Sequence, residues 1–293
     1  NSSYDLYAYW YEEPSNQLID ATGNWWGTTD AGEIADNIYN SIDSATYSPN
    51  VDYSGYLDAE GGNPIAMNPL PPLSADTTLA SGQSYDVLDR IVVPAGVTLT
   101  VEPGVTLNFL GNSTNQRIQV DGALDIQGTQ ANPVVMGSGL ASPSAGDWEG
   151  IFVSSSATKF VLQHVVLEHA DRGVEFETNA LVEPGDCSVF CVQDSVLRNN
   201  NYGLYLTGSS PLLDGNTIEL NQQDGIYMTT GSSSLITGNV IQNNSQLSNS
   251  YSGIYIRNAS HPVISGNTVT GQRYGVRIYP QNRSLANNAF PVV

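Results

Sequence analysis

Apolar and polar residues alternate in short runs along most of this chain, and between residues 164 and 290 the runs return at a regular interval. A short alternating strand follows each of His164, Asp194, Asn216, Asn239 and Asn267. A polar corner comes next. Then Gly173, Gly203, Gly225, Gly253 and Gly275 each lead a second alternating strand, as in Tyr202–Leu206 and Ser252–Ile256. A third apolar pair completes the circuit: Leu212 with Leu213, Leu235 with Ile236, Val263 with Ile264. Where no insertion intervenes, from Gly203 to Gly225 and from Gly253 to Gly275, the interval is 22 residues. A repeat of this length predicts a solenoid, since one circuit cannot bury its own apolar residues but a stack of them can. The runs are too short, and too polar at alternate positions, for helices.

Asn216, Asn239 and Asn267 share one corner column, which predicts an internal amide ladder, with Asn288 and Asn24 assigned to the same column. Tyr205, Tyr227 and Tyr255 each follow their glycine by two residues and lie opposite Leu204, Ile226 and Ile254. They read as a stacked ladder on the sheet, or as a platform for sugar rings.

The ends of the chain look different. Residues 1–57 resemble the last rungs of a solenoid followed by a lid. Tyr4–Ala8 matches the glycine strands, Leu18 with Ile19 matches Leu235 with Ile236, and Trp25 and Trp26 follow Asn24. A helix is expected over residues 30–42, with Asp30 and Glu33 as a capping box and Ile34, Ile38 and Ile42 on one face. Val51–Leu57 reads as an edge strand. Residues 58–84 read as a Gly- and Pro-rich linker, and residues 85–293 as the main solenoid.

Four phrases carry a family likeness: VPAGVTLTVEPGVTLNF (93–109), GALDIQGTQANPVVM (122–136), GDWEGIFV (146–153) and GNWWGTTDAGEIADNIYN (23–40). They resemble right-handed parallel β-helix proteins of the pectin-lyase-like, secreted and cell-surface kind. The resemblance implies an all-β, right-handed parallel β-helix with one short capping helix. At about eight or nine rungs it would be roughly 40 Å long. In that family the first three phrases open a β-helix and the tryptophan phrase closes one, so here the closing phrase precedes the opening one. Function is left open, because the fold carries lyases, hydrolases, adhesins and structural modules.

The reversed order implies that the two ends are complementary. Residues 1–57 of one copy would complete and cap the solenoid of the next, giving a head-to-tail filament or surface array. Tyr4, Leu6, Tyr7, Tyr9, Trp10, Leu18, Ile19, Asn24, Trp25 and Trp26 would meet Leu285, Asn288 and Phe290. A segment of a tandem array, or a fold-back of the N-terminal segment onto its own last rung, would explain the order equally.

Composition narrows the partners. The net charge of −20 argues against nucleic acid and anionic membranes. It is compatible with calcium, although no ligand set stands out. No apolar run approaches the length of a membrane span, and an extracellular or cell-surface location is expected. The sequons at Asn1, Asn112, Asn243, Asn258 and Asn282 make a glycoprotein conceivable. Cys187 and Cys191, if on one strand, would lie about 13 Å apart, too far for a bridge unless the chain turns between them; two buried thiols are expected. His164, Glu168 and His169 fall near a zinc spacing, but on a strand the two imidazoles would face opposite ways. No pectate-lyase-like calcium cluster or polygalacturonase-like set of paired aspartates is evident. The expected function is therefore structural and self-associating. A carbohydrate-binding or polysaccharide-degrading module is the alternative.

Overall fold

A computed structural model describes residues 4–11, 17–44, 46–70, 72–111, 116–177 and 187–279. It shows a right-handed parallel β-helix whose coils each contribute one strand to three eight-stranded parallel sheets. The first coil is Thr77–Leu79, Ser84–Val87 and Ile91–Val93; the last is Val263–Ser265, Thr268–Thr270 and Tyr274–Tyr279. The solenoid thus opens at Thr77, inside the segment read as linker. Thr77–Leu79 is identifiable only by its pairing with Leu99–Val101 in the next coil.

Alternation along each strand sends every second side chain inward, and parallel register stacks like on like. One such column runs Leu79, Val101, Ile126, Leu162, Val192, Leu213, Ile236 and Ile264. Another, in the third sheet, runs Ile91, Ile118, Ile151, Val174, Leu204, Ile226, Ile254 and Val276. Most of these residues are fully buried. The bulkiest inward group is Trp148, stacked on Phe109 at 3.8 Å with its indole N–H donating to the Glu168 carbonyl at 2.9 Å.

Two corners are held by amides. At the first, Asn216 donates to the Val192 carbonyl (2.8 Å) and to Asn239 Oδ1 (3.0 Å), and Asn239 donates to the Leu213 carbonyl (2.9 Å) and to Asn267 Oδ1 (2.8 Å). The left-handed turn here belongs to the preceding Gly215, Gly238 and Gly266, not to the asparagines. At the second corner Asn200, Asn221 and Asn244 form a parallel ladder, with Asn221 donating to Asn244 Oδ1 at 2.8 Å. This explains the glycine column. A side chain at Gly225 would press on the Gly253 carbonyl and the Asn244 amide, so the column serves close approach and not an unusual φ.

The N-terminal unit comprises β1 (Leu6–Tyr7), β2 (Leu18–Asp20), α1 (Ala31–Asp36), β3 (Ile38–Tyr39) and β4 (Asn50–Asp52). β1 pairs with β3 and β2 with β4, both in parallel. Asp30 caps α1 by accepting from Gly32 N and Glu33 N. The helix is shorter than expected: Ile38, 2% exposed, starts β3 instead, because pairing with β1 buries it just as well. Ile34, Ala31 and Ile38 pack with Tyr53, Tyr56 and Leu88 in a second small core. Tyr53 Oη donates to the Leu88 carbonyl (3.2 Å), and any side chain at Gly111 would collide with the backbone of Gly32. The helix therefore lids the first coil of its own chain, and the unit does not fold back onto the last coil.

Cys187 and Cys191 form a disulfide, with Cα atoms 5.0 Å apart. The expected pair of thiols is corrected because the chain turns at residues 187–189 before the strand Phe190–Gln193 begins.

Candidate functional site

The outward side of the third sheet carries the densest chemistry. Its central column, in register, is Gln119, Phe152, Glu175, Tyr205, Tyr227, Tyr255 and Arg277. Tyr205 and Tyr227 stack at 4.5 Å, and Tyr255 meets Tyr227 edge-on at 5.5 Å. Guanidinium groups cover the rings: Arg172 over Tyr205 at 4.3 Å and Arg277 over Tyr255 at 4.8 Å. Arg257 donates to Tyr227 Oη at 3.1 Å. Arg172 is also bonded to Glu175, whose carboxyl burial nonetheless holds above its ordinary range.

Asp224 lies at the corner beside this column, 1% exposed, with Oδ1 accepting from Ser252 N at 2.6 Å. Burial pushes its carboxyl up to about 7, against the opposing pull of that N–H and of Arg277. Burial, with Asp224 adding to it, likewise raises the Tyr202 hydroxyl. Asp224 bridges two coils as the buried asparagines do, and that is what singles it out.

The second candidate region is the pair of outermost coils. Leu204, Ile226 and Ile254 are fully buried, but Val276, next in the same column, is 37% exposed. Ile278, below the buried Ile256, is 44% exposed. At the other end Tyr4, Tyr7, Tyr9 and Trp10 cluster with Tyr39 and Tyr47. Trp10 is 74% exposed and Leu18 63%. Among the described residues, β1 and β2 each keep one unpaired edge, and so does the strand Tyr274–Tyr279.

Other sequence-derived residues fall as follows. Ile19 and Trp25 are half-buried, and Trp26 packs on the small core. Asn24 is exposed and donates to the Ala21 carbonyl at 2.8 Å, so it serves its own turn and not the ladder. Leu285, Asn288, Phe290, Asn1, Asn112 and Asn282 lie outside the described residues. Asn243 is exposed at a corner, whereas the Asn258 amide nitrogen, where a glycan would attach, donates to Thr229 Oγ1 at 2.9 Å. His164 and His169 are not on the strand but flank it, in left-handed corners at φ 48° and 68°. A cleft of about 560 Å³ separates the N-terminal unit from the first coil, lined by Asn40, Tyr53, Leu73, Leu88, Asp89 and Arg90 among others. Burial raises the Asp89 carboxyl there, and Asn40 Nδ2 donates to it at 3.3 Å.

Residues 108–291, well over half of the chain, match the family model described as periplasmic copper-binding protein (NosD). The chain belongs to the NosD family. No curated protein and no solved structure matches it. The copper in the family's description finds no seat here among the described residues. Among the described residues, no group of three or more His, Cys, Asp or Glu side chains converges. The two cysteines are bridged, Met136 and Met228 are fully buried in the apolar core, and the strand Val165–Glu168 separates His164 from His169. These residues do not fit a copper centre, so no chemistry is derived through one. No helix among the described residues is long and apolar enough to cross a membrane.

Proposed function

We propose that this NosD-family β-helix is a structural, self-associating protein of the extracytoplasmic space, joined end to end with copies of itself. The family's periplasmic description supports the location. The observation that carries the association is the exposure of rung residues at both ends. Side chains fully buried in every inner coil lose their cover at Val276 and Ile278, while Leu18 and Trp10 stand open at the other end.

Chain direction agrees with this arrangement. β3 follows β1, so the free edge of β1 is where a preceding coil would sit; the free edge of Tyr274–Tyr279 is where a following one would sit. Unpaired edges beside exposed apolar rows are templates for strand addition. A contact between unlike ends, repeated without closure, builds a filament. Sedimentation velocity and electron microscopy of the purified chain test the reading. End-to-end oligomers that lengthen with concentration are expected; a monomer at every concentration overturns it.

The tyrosine column favours a second reading, a polysaccharide platform, since half-buried rings flanked by guanidinium groups suit sugars bearing carboxylates. Thermal shift with polygalacturonate, lost in Tyr227→Ala, would support that reading. An unchanged melting temperature in the native chain would reject it.

A further inference from the structure

Charge is divided along this chain as sharply as exposure is. Residues 1–89 hold 14 of the 29 carboxylate side chains and no Lys, Arg or His. Residues 225–293 hold Arg257, Arg273, Arg277 and Arg283 and no Asp or Glu. Among the described residues, Arg257, Arg273 and Arg277 form no ion pair, in contrast to Arg117, Lys159, Arg172 and Arg198 farther back. They lie over tyrosines instead: Arg273 over Tyr274 at 5.0 Å, Arg277 over Tyr274 at 5.3 Å, and Arg257 5.7 Å from Tyr255. Among the described residues, a strongly acidic protein thus keeps three of its four cationic side chains without an ion pair on the last two coils, beside an open strand edge; the fourth, Arg90, lies at the first coil. At the opposite end, exposed Asp5 and Asp20 flank the open edges of β1 and β2.

Register then decides which groups would meet. On the last coil Val276 faces inward below Ile254, and Arg277 faces outward below Tyr255. On β1 Leu6 packs toward the small core, beside Ile38, and Tyr7 faces outward, beside Tyr39. A slip of one residue would turn Tyr7 and Arg277 into the core. A slip of two would carry Tyr7 away from Arg277 and Leu6 away from Val276.

Resting on the end-to-end reading above, we infer that β1 of one copy adds in parallel to the free edge of Tyr274–Tyr279 of another, Leu6 beside Val276 and Tyr7 beside Arg277. The Arg277 guanidinium is then held between two aromatic rings, Tyr255 of its own chain and Tyr7 of the next. The inward column continues from Ile254 and Val276 to Leu6 and Ile38 without a polar break. The charge division sets the order of ends: acidic head to basic tail attracts, whereas head to head and tail to tail repel. Such steering weakens with salt, since screening acts over about 8 Å at physiological ionic strength.

Cysteine cross-linking reads the register directly. Protein carrying Tyr7→Cys, mixed with protein carrying Arg277→Cys under mild oxidation, should give a heterodimer on a non-reducing gel. Tyr9→Cys mixed with Arg277→Cys should not. In a separate arm, Arg277→Glu should weaken association at least about tenfold, and Tyr7→Lys added to it should restore most of the loss. Oligomers that form but cross-link through Tyr9→Cys, or that ignore Arg277→Glu, overturn this contact and leave end-to-end association standing. A native chain that never associates overturns both. If Arg277→Glu abolishes binding of polygalacturonate and leaves oligomers unchanged, the arginine patch is a polysaccharide site and the docking proposal fails.

Discussion

The inner coils and the last one are built from the same alternating strands, yet they differ in how far the inward side chains of the third sheet are covered. In the inner coils Leu204, Ile226 and Ile254 are closed off by a like residue above and below, and two asparagine ladders bind the corners. At the last coil the same positions are a third or more open. The N-terminal unit repeats the contrast on a smaller scale: Ile38 on β3 is 2% exposed, while Leu6, its partner on β1, is only half-buried. Burial in a solenoid is thus a property of neighbours and not of a coil's own sequence. The end closed by α1 and the end left open show two ways of treating one problem.

That comparison can be broken most severely in the middle. Trp148→Ala empties a fully buried site against Phe109 and should cost about 3–5 kcal/mol, read as a lower urea midpoint. If the loss were no larger than for a truncation at exposed Ile278, inner and outer coils would not differ as described.

Next in size is Asp224→Asn, read as a function of pH. The folded-state value of about 7 stands above the ordinary 3.8. The stability that the neutral carboxyl supports is therefore fully present below about pH 4 and is lost as pH rises through 7. The loss is on the order of 4 kcal/mol. Asn keeps an acceptor for Ser252 N and cannot ionise, so the variant should be the more stable protein at pH 8 and nearly equal to the parent at pH 4. A constant gap between the two melting temperatures across that range would refute the buried-carboxyl account.

The smallest effect is expected outside the core. Arg198 pairs with Glu168 at 2.8 Å on the solvent side. Arg198→Ala should cost less than about 1 kcal/mol and lose even that in high salt. A larger cost would mean that the outward pairs, and not the inward columns, hold neighbouring coils together.

Much of this architecture is legible in the residues. The interval between glycines gives the coil, alternation gives the inward columns, and Tyr205, Tyr227 and Tyr255 are found on the outward side as spacing implies. Features set by tertiary contact are less legible. α1 stops at Asp36 because Ile38 gains a strand partner that lies 32 residues away in sequence, at Leu6. The turn before Phe190 that brings the cysteines together has no glycine or proline between them to announce it. The second ladder was available: Asn200, Asn221 and Asn244 each follow an inward Leu197, Ile218 or Ile241 by three residues, a spacing hidden by the polar corners around it. Of the candidate site, the tyrosines could be read in advance. Asp224 and the unpaired arginines could not, because their significance lies in what does or does not sit beside them.

The asparagine ladders also govern how such an object comes apart. Asn239 takes its partners from both sides, donating back to Leu213 and forward to Asn267 while accepting from Asn216. Stripping away the coil of Asn267 leaves the Asn239 backbone N–H without its acceptor and takes one acceptor from the Asn239 amide. Under a pulling force or a protease, erosion should therefore advance from the exposed end in whole turns of the spiral, each one arrested until the next ring of amides lets go.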